Sequence, residues 1–171
     1  MKIALDIDDV LASFYPAICN RMGMPEKKVN IWDGEVACNW IVKAMPLVEY
    51  DIDFWKNLKT LSNPSSIDFN VDCYITSSPV HLITIRARWL LDNGFPERPI
   101  FSTSDKLGLM IDREIDILID DKIPTIDLVN NSGKIGIQFK PPYMTEEISD
   151  KSKIITHLSE ISQKSLTRIK K

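Results

Sequence analysis

The sequence predicts an α/β fold: a parallel sheet with helices on both faces and a small helical segment inserted after the first strand. Three observations predict it. From Val71 onward, short apolar runs alternate with helical patterns. Two apolar runs finish abruptly in carboxylates, one at Asp6-Ile7-Asp8-Asp9 and one at Asp120-Asp121. The stretch from about Phe14 to Ser66 breaks the rhythm, being aromatic-rich and without a strand-like run. Strands separated by helices imply parallel pairing, because parallel strands need a crossover connection.

The elements follow in order. The run ending at Leu5 is too short for a helical turn pattern and reads as a buried strand. Val36, Trp40, Ile41 and Ala44 fall at helical spacing, with Pro46 expected to end that helix. Asn63-Pro64-Ser65-Ser66 is a turn-rich return to the sheet. Val71 to Ile75 is a strand that ends in Thr76, Ser77, Ser78 and Pro79. Val80 to Asp92 reads as a helix, with Ile83, Ala87, Leu90 and Leu91 at helical spacing and Gly94 just past its end. On that pattern Arg86 and Arg88 belong to the helix surface. Pro99 to Phe101 is a short strand, Asp105 to Arg113 a short helix, and Asp116 to Ile119 the second acid-terminated strand. Pro124 to Asn131 is a helix closed by Gly133, and Ile135 to Phe139 a further strand. Ile154, Leu158 and Ile161 share one face of a C-terminal helix whose stripe weakens at Ser165. Residues 1–13 and 67–171 would form a Rossmann-like core, and 14–66 a helical cap.

Composition narrows the function. The chain has 171 residues, 44% of them hydrophobic, which suits one globular domain with a modest insertion. Its net charge is −3 and its pI about 5.4, so no basic surface drives binding to a nucleic-acid polymer. The basic end (Lys164, Arg168, Lys170, Lys171) reads as a solvated helix end. Cys19, Cys38 and Cys73 form no Cys-x-x-Cys pair, which argues against zinc and a disulfide framework and fits a reducing cytosol. His81 and His157 are too few for a histidine metal centre. The start does not read as a signal peptide, and no apolar run is long enough to span a membrane, so a cytoplasmic protein is expected. An exposed apolar face on the inserted segment would support a homodimer.

The acid-terminated strands carry the chemistry. A buried carboxylate would rather neutralise than stay charged, so several at strand ends need a divalent cation or an electrophile to act on. In an open parallel sheet, ligands bind beyond the carboxyl ends of the strands. Two strands finishing in acid pairs therefore converge on one site. Mg²⁺ suits it, because that ion takes carboxylate oxygens, waters and a substrate phosphate.

Four ordered motifs resemble those of the haloacid dehalogenase superfamily. They are Asp6-Ile7-Asp8-Asp9-Val10, Tyr74-Ile75-Thr76-Ser77-Ser78-Pro79, Ser104-Asp105-Lys106 and Ile119-Asp120-Asp121, and they span nearly the whole chain. Within that superfamily the chain looks most like the 5'(3')-deoxyribonucleotidases, through Thr-Ser-Ser-Pro, the Asp-Lys pair, Leu-Ile-Asp-Asp-Lys and Phe54-Trp55-Lys56-Asn57-Leu58. The resemblance implies a Mg²⁺-dependent phosphomonoesterase acting on small nucleoside monophosphates, with pyrimidine deoxyribonucleotides the expected substrates. Asp6 would be the nucleophile that takes up the phosphoryl group. Asp8 would protonate the leaving alcohol and then activate water. Lys106 would neutralise charge around the phosphate. Asp6, the backbone carbonyl of Asp8, and Asp120 would hold Mg²⁺, with Asp121 as a further or water-mediated ligand. Ser77 and Ser78 would donate to phosphate oxygens, although counting from the strand end puts Thr76 in that place. Asp9 reads as a local turn or helix-start residue. Among the cap aromatics, Phe14, Trp32, Phe54 and Trp55 are the candidates to stack on a base, most of them forming the cap's own core. Two other readings stay open here. One keeps the chemistry but changes the substrate to a 3'-phosphate at a nucleic-acid end or a sugar phosphate. The other is a catalytically silent protein that binds a phospho-ligand.

Overall fold

A computed structural model describes residues 1–24, 43–144 and 153–169. Six short strands form one sheet: β1 (Ile3–Leu5), β2 (Cys73–Thr76), β3 (Ile100–Ser102), β4 (Ile117–Asp120), β5 (Ile135–Phe139) and β6 (Lys153–Ile155). Their order is β3-β2-β1-β4-β5-β6, and every pairing is parallel. The helices are α1 (Phe14–Arg21), α2 (Ile52–Lys56), α3 (Ile83–Asp92), α4 (Lys106–Asp112), α5 (Ile123–Asn131) and α6 (Gln163–Ile169), with a further helical stretch over 43–48.

The strands read as unbroken apolar runs because both sheet faces are covered. Side chains alternate between the faces. Ile3, Leu5, Tyr74, Ile117 and Ile119 join one buried cluster with Leu82, Trp89 and Leu90 around α3. Ala4, Cys73, Ile75 and Leu118 join a second with Met110 of α4 and Val129 of α5. The α5 contact is close enough to require glycine. A Cβ on Gly136 of β5 would stand 2.9 Å from the Ile126 carbonyl oxygen and 3.2 Å from the Asn130 amide nitrogen. Gly136→Ala must therefore push α5 off the sheet. It is expected to cost about 1–3 kcal/mol, read as a lower urea midpoint with an unchanged slope.

Three expectations are corrected. Ile154 is not helical: residues 153–155 extend beside β5, Leu158 lies in a single 3₁₀ turn, and the helix starts only at Gln163. The apparent helical stripe arises because Leu158 and Ile161 cover the same core that the strand enters. Pro46 does not end its helix, which continues to residue 48 and still closes from Glu49 N to the Met45 carbonyl at 2.8 Å. The buried stripe of α3 and its preceding turn is Leu82, Arg86, Trp89 and Leu90, whereas Leu91 is exposed. Trp32, the start of the Val36–Ala44 helix, Cys38 and the basic tip Lys170–Lys171 lie outside the described residues. Of 14–66, the described part contributes no strand to the sheet, and its Ala44, Val48, Trp55 and Leu58 join the buried cluster on one sheet face.

Candidate active site

Strand order reverses between β1 and β4, the place where doubly wound sheets bind ligands. Register puts the carboxylates level there. Leu5 pairs with Ile119, and Asp6 N continues the ladder to the Ile119 carbonyl at 2.9 Å. Asp6 and Asp120 thus emerge side by side, with Asp121 next in the chain. One ligand oxygen from each of Asp6, Asp120 and Asp121 lies within 4.8 Å of the others, and all three residues are buried.

Lys106 enters from the first turn of α4, whose N-cap Asp105 accepts from Gly108 N at 2.8 Å. Its Nζ donates to Asp120 Oδ2 at 2.6 Å and forms an ion pair with Asp6 Oδ1 at 3.0 Å. Burial works against the ammonium, but Asp120 and Asp6 together raise its pKa above the usual lysine value. Burial pushes Asp6 up to about 8; Lys106 opposes this, and Asp120 and Asp8 add to it. Asp121 is also raised, first by burial and then by Asp120 and Asp9.

This donor set fits Mg²⁺. Three buried carboxylates share one lysine, and burial raises the pKa of two of them, Asp6 and Asp121. A hard cation with oxygen ligands would relieve that crowded charge.

Asp8 faces a different set of partners. Arg86 Nη2 donates to its Oδ1 at 2.6 Å, and Ser78 Oγ donates to its Oδ2 at 2.7 Å. Thr76 Oγ1 lies 3.2 Å from the same Oδ2 and accepts from Ser78 N at 3.0 Å. Both hydroxyls are thus engaged with Asp8, while Ser77 is exposed and its Oγ lies 3.5 Å from the Thr103 carbonyl. Arg86 is not a helix-surface residue: it is 0% exposed, with its guanidinium carbon 5.3 Å from the ring centres of both Trp55 and Trp89. One sequence signal bore on it. Leu82, Arg86, Trp89 and Leu90 stand at helical spacing, so an arginine occupies the centre of a buried stripe.

Asp9 starts the first helix. Its φ of +59° turns the chain sharply, and its Oδ1 accepts from Phe14 N at 3.0 Å and Tyr15 N at 2.9 Å. The Tyr143 hydroxyl also donates to it. Burial pushes Asp9 up to about 7 against those donors, and burial with the Asp9 charge drives Tyr143 up as well. Sequence reasoning missed Tyr143, which had no motif to mark it.

The aromatic candidates separate. Phe14 and Phe54 are half-buried and meet edge to face at 6.1 Å. Trp55 is 1% exposed, stacked on Phe14 at 5.5 Å and donating from Nε1 to the Val48 carbonyl at 2.7 Å. Its placement as a base-stacking wall is corrected: one ring face covers Phe14, and Arg86 sits over the indole.

No family model matches the chain, and no curated protein matches it significantly. Solved structures do. A haloacid dehalogenase-like protein of unknown function from Agrobacterium tumefaciens superposes with a TM-score of 0.66 at 13% identity, covering 99% of this chain and 98% of that one. A haloacid dehalogenase-like family hydrolase from Xanthomonas campestris gives 0.60 at 13% identity, covering 99% and 95%. CbbY from Rhodobacter sphaeroides, solved in complex with phosphate, gives 0.61 at 10% identity, covering 93% and 95%. At these identities the likeness is one of fold, and the chain has the α/β fold of haloacid dehalogenase-like proteins.

Proposed function

We propose that the chain is a Mg²⁺-dependent phosphomonoesterase that hydrolyses small nucleoside monophosphates through an aspartyl-phosphate at Asp6. The observation that carries this reading is the gathering of Asp6, Asp120 and Asp121 around Lys106 at the switch point, with Asp8 beside them. The fold shared with haloacid dehalogenase-like proteins, and a phosphate complex of one structural neighbour, support it.

The residues divide the work. An oxygen of Asp6 attacks phosphorus, the bond to the leaving oxygen breaks, and Asp8 gives that oxygen its proton. Water then attacks the aspartyl-phosphate, Asp8 takes the proton, and phosphate leaves with Asp6 restored. Lys106 and the exposed Ser77 would face phosphate oxygens. Asp6, the Asp8 carbonyl, Asp120 and Asp121 would hold the metal, which supplies charge neutralisation to a pocket that otherwise repels a phosphate dianion. Asp8 separates this reading from dehalogenation, where no leaving alcohol needs a proton. The half-buried Phe14 and Phe54, linked to Asp8 through Trp55 and Arg86, are the candidates to contact a base.

The test is phosphate release from 5'- and 3'-deoxy- and ribonucleotides, sugar phosphates and a 3'-phosphorylated oligonucleotide, with Mg²⁺ and with chelator. Release should be concentrated on deoxynucleotides and fall by about 100-fold or more in chelator. Release from sugar phosphates alone would keep the chemistry and overturn the substrate. No release from any substrate, by a folded protein, would overturn the enzyme reading.

A further inference from the structure

We propose that Arg86 is a positioning residue for Asp8, held in place by the paired indoles of Trp55 and Trp89. This rests on the reading of Asp8 as the proton donor and acceptor.

The argument begins with an expense. Arg86 is 0% exposed, and its Nε and Nη1 are buried with no hydrogen-bond partner among the described residues. A buried charge with unsatisfied donors destabilises a fold, and a methionine or leucine of similar volume would fill the same slot without that penalty. Cation–π contact with two rings offsets part of it. The one polar contact Arg86 makes among the described residues is Nη2 to Asp8 Oδ1, at 2.6 Å. What this arginine does, it does to Asp8.

The surroundings make the contact rigid. Trp55 comes from the segment between β1 and β2 and is pinned by its indole N–H to the Val48 carbonyl at 2.7 Å. Trp89 comes from α3 and is pinned to the Leu58 carbonyl at 2.8 Å. The guanidinium therefore sits in a slot whose two walls come from different parts of the chain, each fixed to the backbone.

Asp8 receives the consequence. Arg86 holds Oδ1, while Ser78 and Thr76 hold Oδ2, so donors on both oxygens fix the plane of the carboxyl group. Its side chain keeps 19% exposure, whereas Arg86 keeps none. Proton transfer needs this kind of fixed geometry, and a misplacement of about 1 Å costs on the order of 100-fold in rate.

The test uses leaving groups. Nitrophenolate departs without a proton, whereas an alcohol must receive one. Arg86→Met keeps the apolar stem and removes the charge. It should lower kcat/KM, which reports phosphoryl transfer to Asp6 and not the later hydrolysis, about 100-fold on a nucleoside 5'-monophosphate but less than about 5-fold on p-nitrophenyl phosphate. Arg86→Lys should recover part of the first loss. In an Asp8→Asn background, Arg86→Met should cost nothing further on the nucleotide. Equal losses of kcat/KM on both substrates, or additive losses in the double variant, would overturn the proposal. Thermal unfolding of wild type, both single variants and the double variant gives a readout independent of turnover. Arg86→Met should lower Tm by a different amount when Asp8 is replaced, and equal shifts would show that Arg86 does not act through Asp8. If wild type releases no phosphate from any substrate, the enzyme reading falls and the unfolding cycle decides this contact on its own. Should Arg86→Met fail to fold, Arg86→Lys carries the same comparisons.

Discussion

Asp6→Asn is expected to remove phosphate release, a loss of about 10⁴-fold or more, while leaving the fold intact. The activity argument is chemical. An amide oxygen is a poor nucleophile and forms no stable phosphoryl adduct, and neither Asp120 nor Asp121 can replace it on β1. The stability argument is electrostatic. Burial pushes Asp6 up, against the pull of Lys106, so without metal the fold favours an uncharged group at this position. Asparagine has nearly the same shape and is also neutral. It leaves Lys106 its ion pair with Asp120 at 2.6 Å. The melting temperature without metal should shift by no more than about 3 °C in either direction. Phosphate release and thermal unfolding on one preparation check both halves. Residual activity above about 1% of wild type would show that Asp6 is not the nucleophile, and a collapse of the melting transition would show that its carboxyl holds the fold.

The same electrostatics explains what the sequence made legible. An apolar run broken by acids is a local signal, visible because burial and charge conflict within a few residues. The parallel-sheet rule then brings Asp6 and Asp120 together, and the register Leu5–Ile119 does so without any longer-range information. Lys106 was legible only through the resemblance of Ser104-Asp105-Lys106 to a family motif, because a lone lysine at a helix start reads as solvent-exposed. Arg86 was not. Hydrophobic periodicity counts an arginine as polar, and its burial depends on Asp8, 78 residues away in sequence, and on indoles from two segments. Tyr143 is further still from Asp9, 134 residues apart, and no pattern near either residue announces the contact. The edge strand β6 is three residues long, too short to show a period, so the apolar spacing beyond it read as a helix. Trp55 belonged to a segment that resembled a substrate wall. Its burial comes from filling the slot over Arg86, which is a tertiary fact.

A second large effect concerns stability as a function of pH. Without metal, the protein should lose stability as pH rises from about 4 to about 8. The sign follows from the direction of the shifts. Asp6 has a folded value of about 8 against 3.8 for an unperturbed side chain, and Asp9 a folded value of about 7. Asp121 is raised as well. Below both values each group is protonated in either state and contributes nothing. Between them the folded protein holds protons that the unfolded chain has released, so raising pH favours unfolding. Above the folded value the loss is complete. Lys106 stays charged across this window, because Asp120 and Asp6 hold its pKa above the usual lysine range despite burial. Mg²⁺ should change the curve. It competes with protons for Asp6 and Asp121, so its binding strengthens as pH rises, and stabilisation by a ligand grows with the ratio of its concentration to its Kd. In chelator, Tm should fall by about 5 °C or more between about pH 6 and about pH 8. Added Mg²⁺ should raise Tm more at the higher pH, and Asp121→Asn should shrink that gain. Asp9 provides an internal contrast, since its carboxylate is tied to Phe14 N, Tyr15 N and the Tyr143 hydroxyl and lies outside the cluster of Asp6, Asp120 and Asp121. Its share of the pH dependence should therefore persist with Mg²⁺ and disappear in Asp9→Asn. A flat or rising Tm in chelator would mean that these carboxylates stay ionised in the folded protein, and the argument for a cation at the switch point would lose its electrostatic basis.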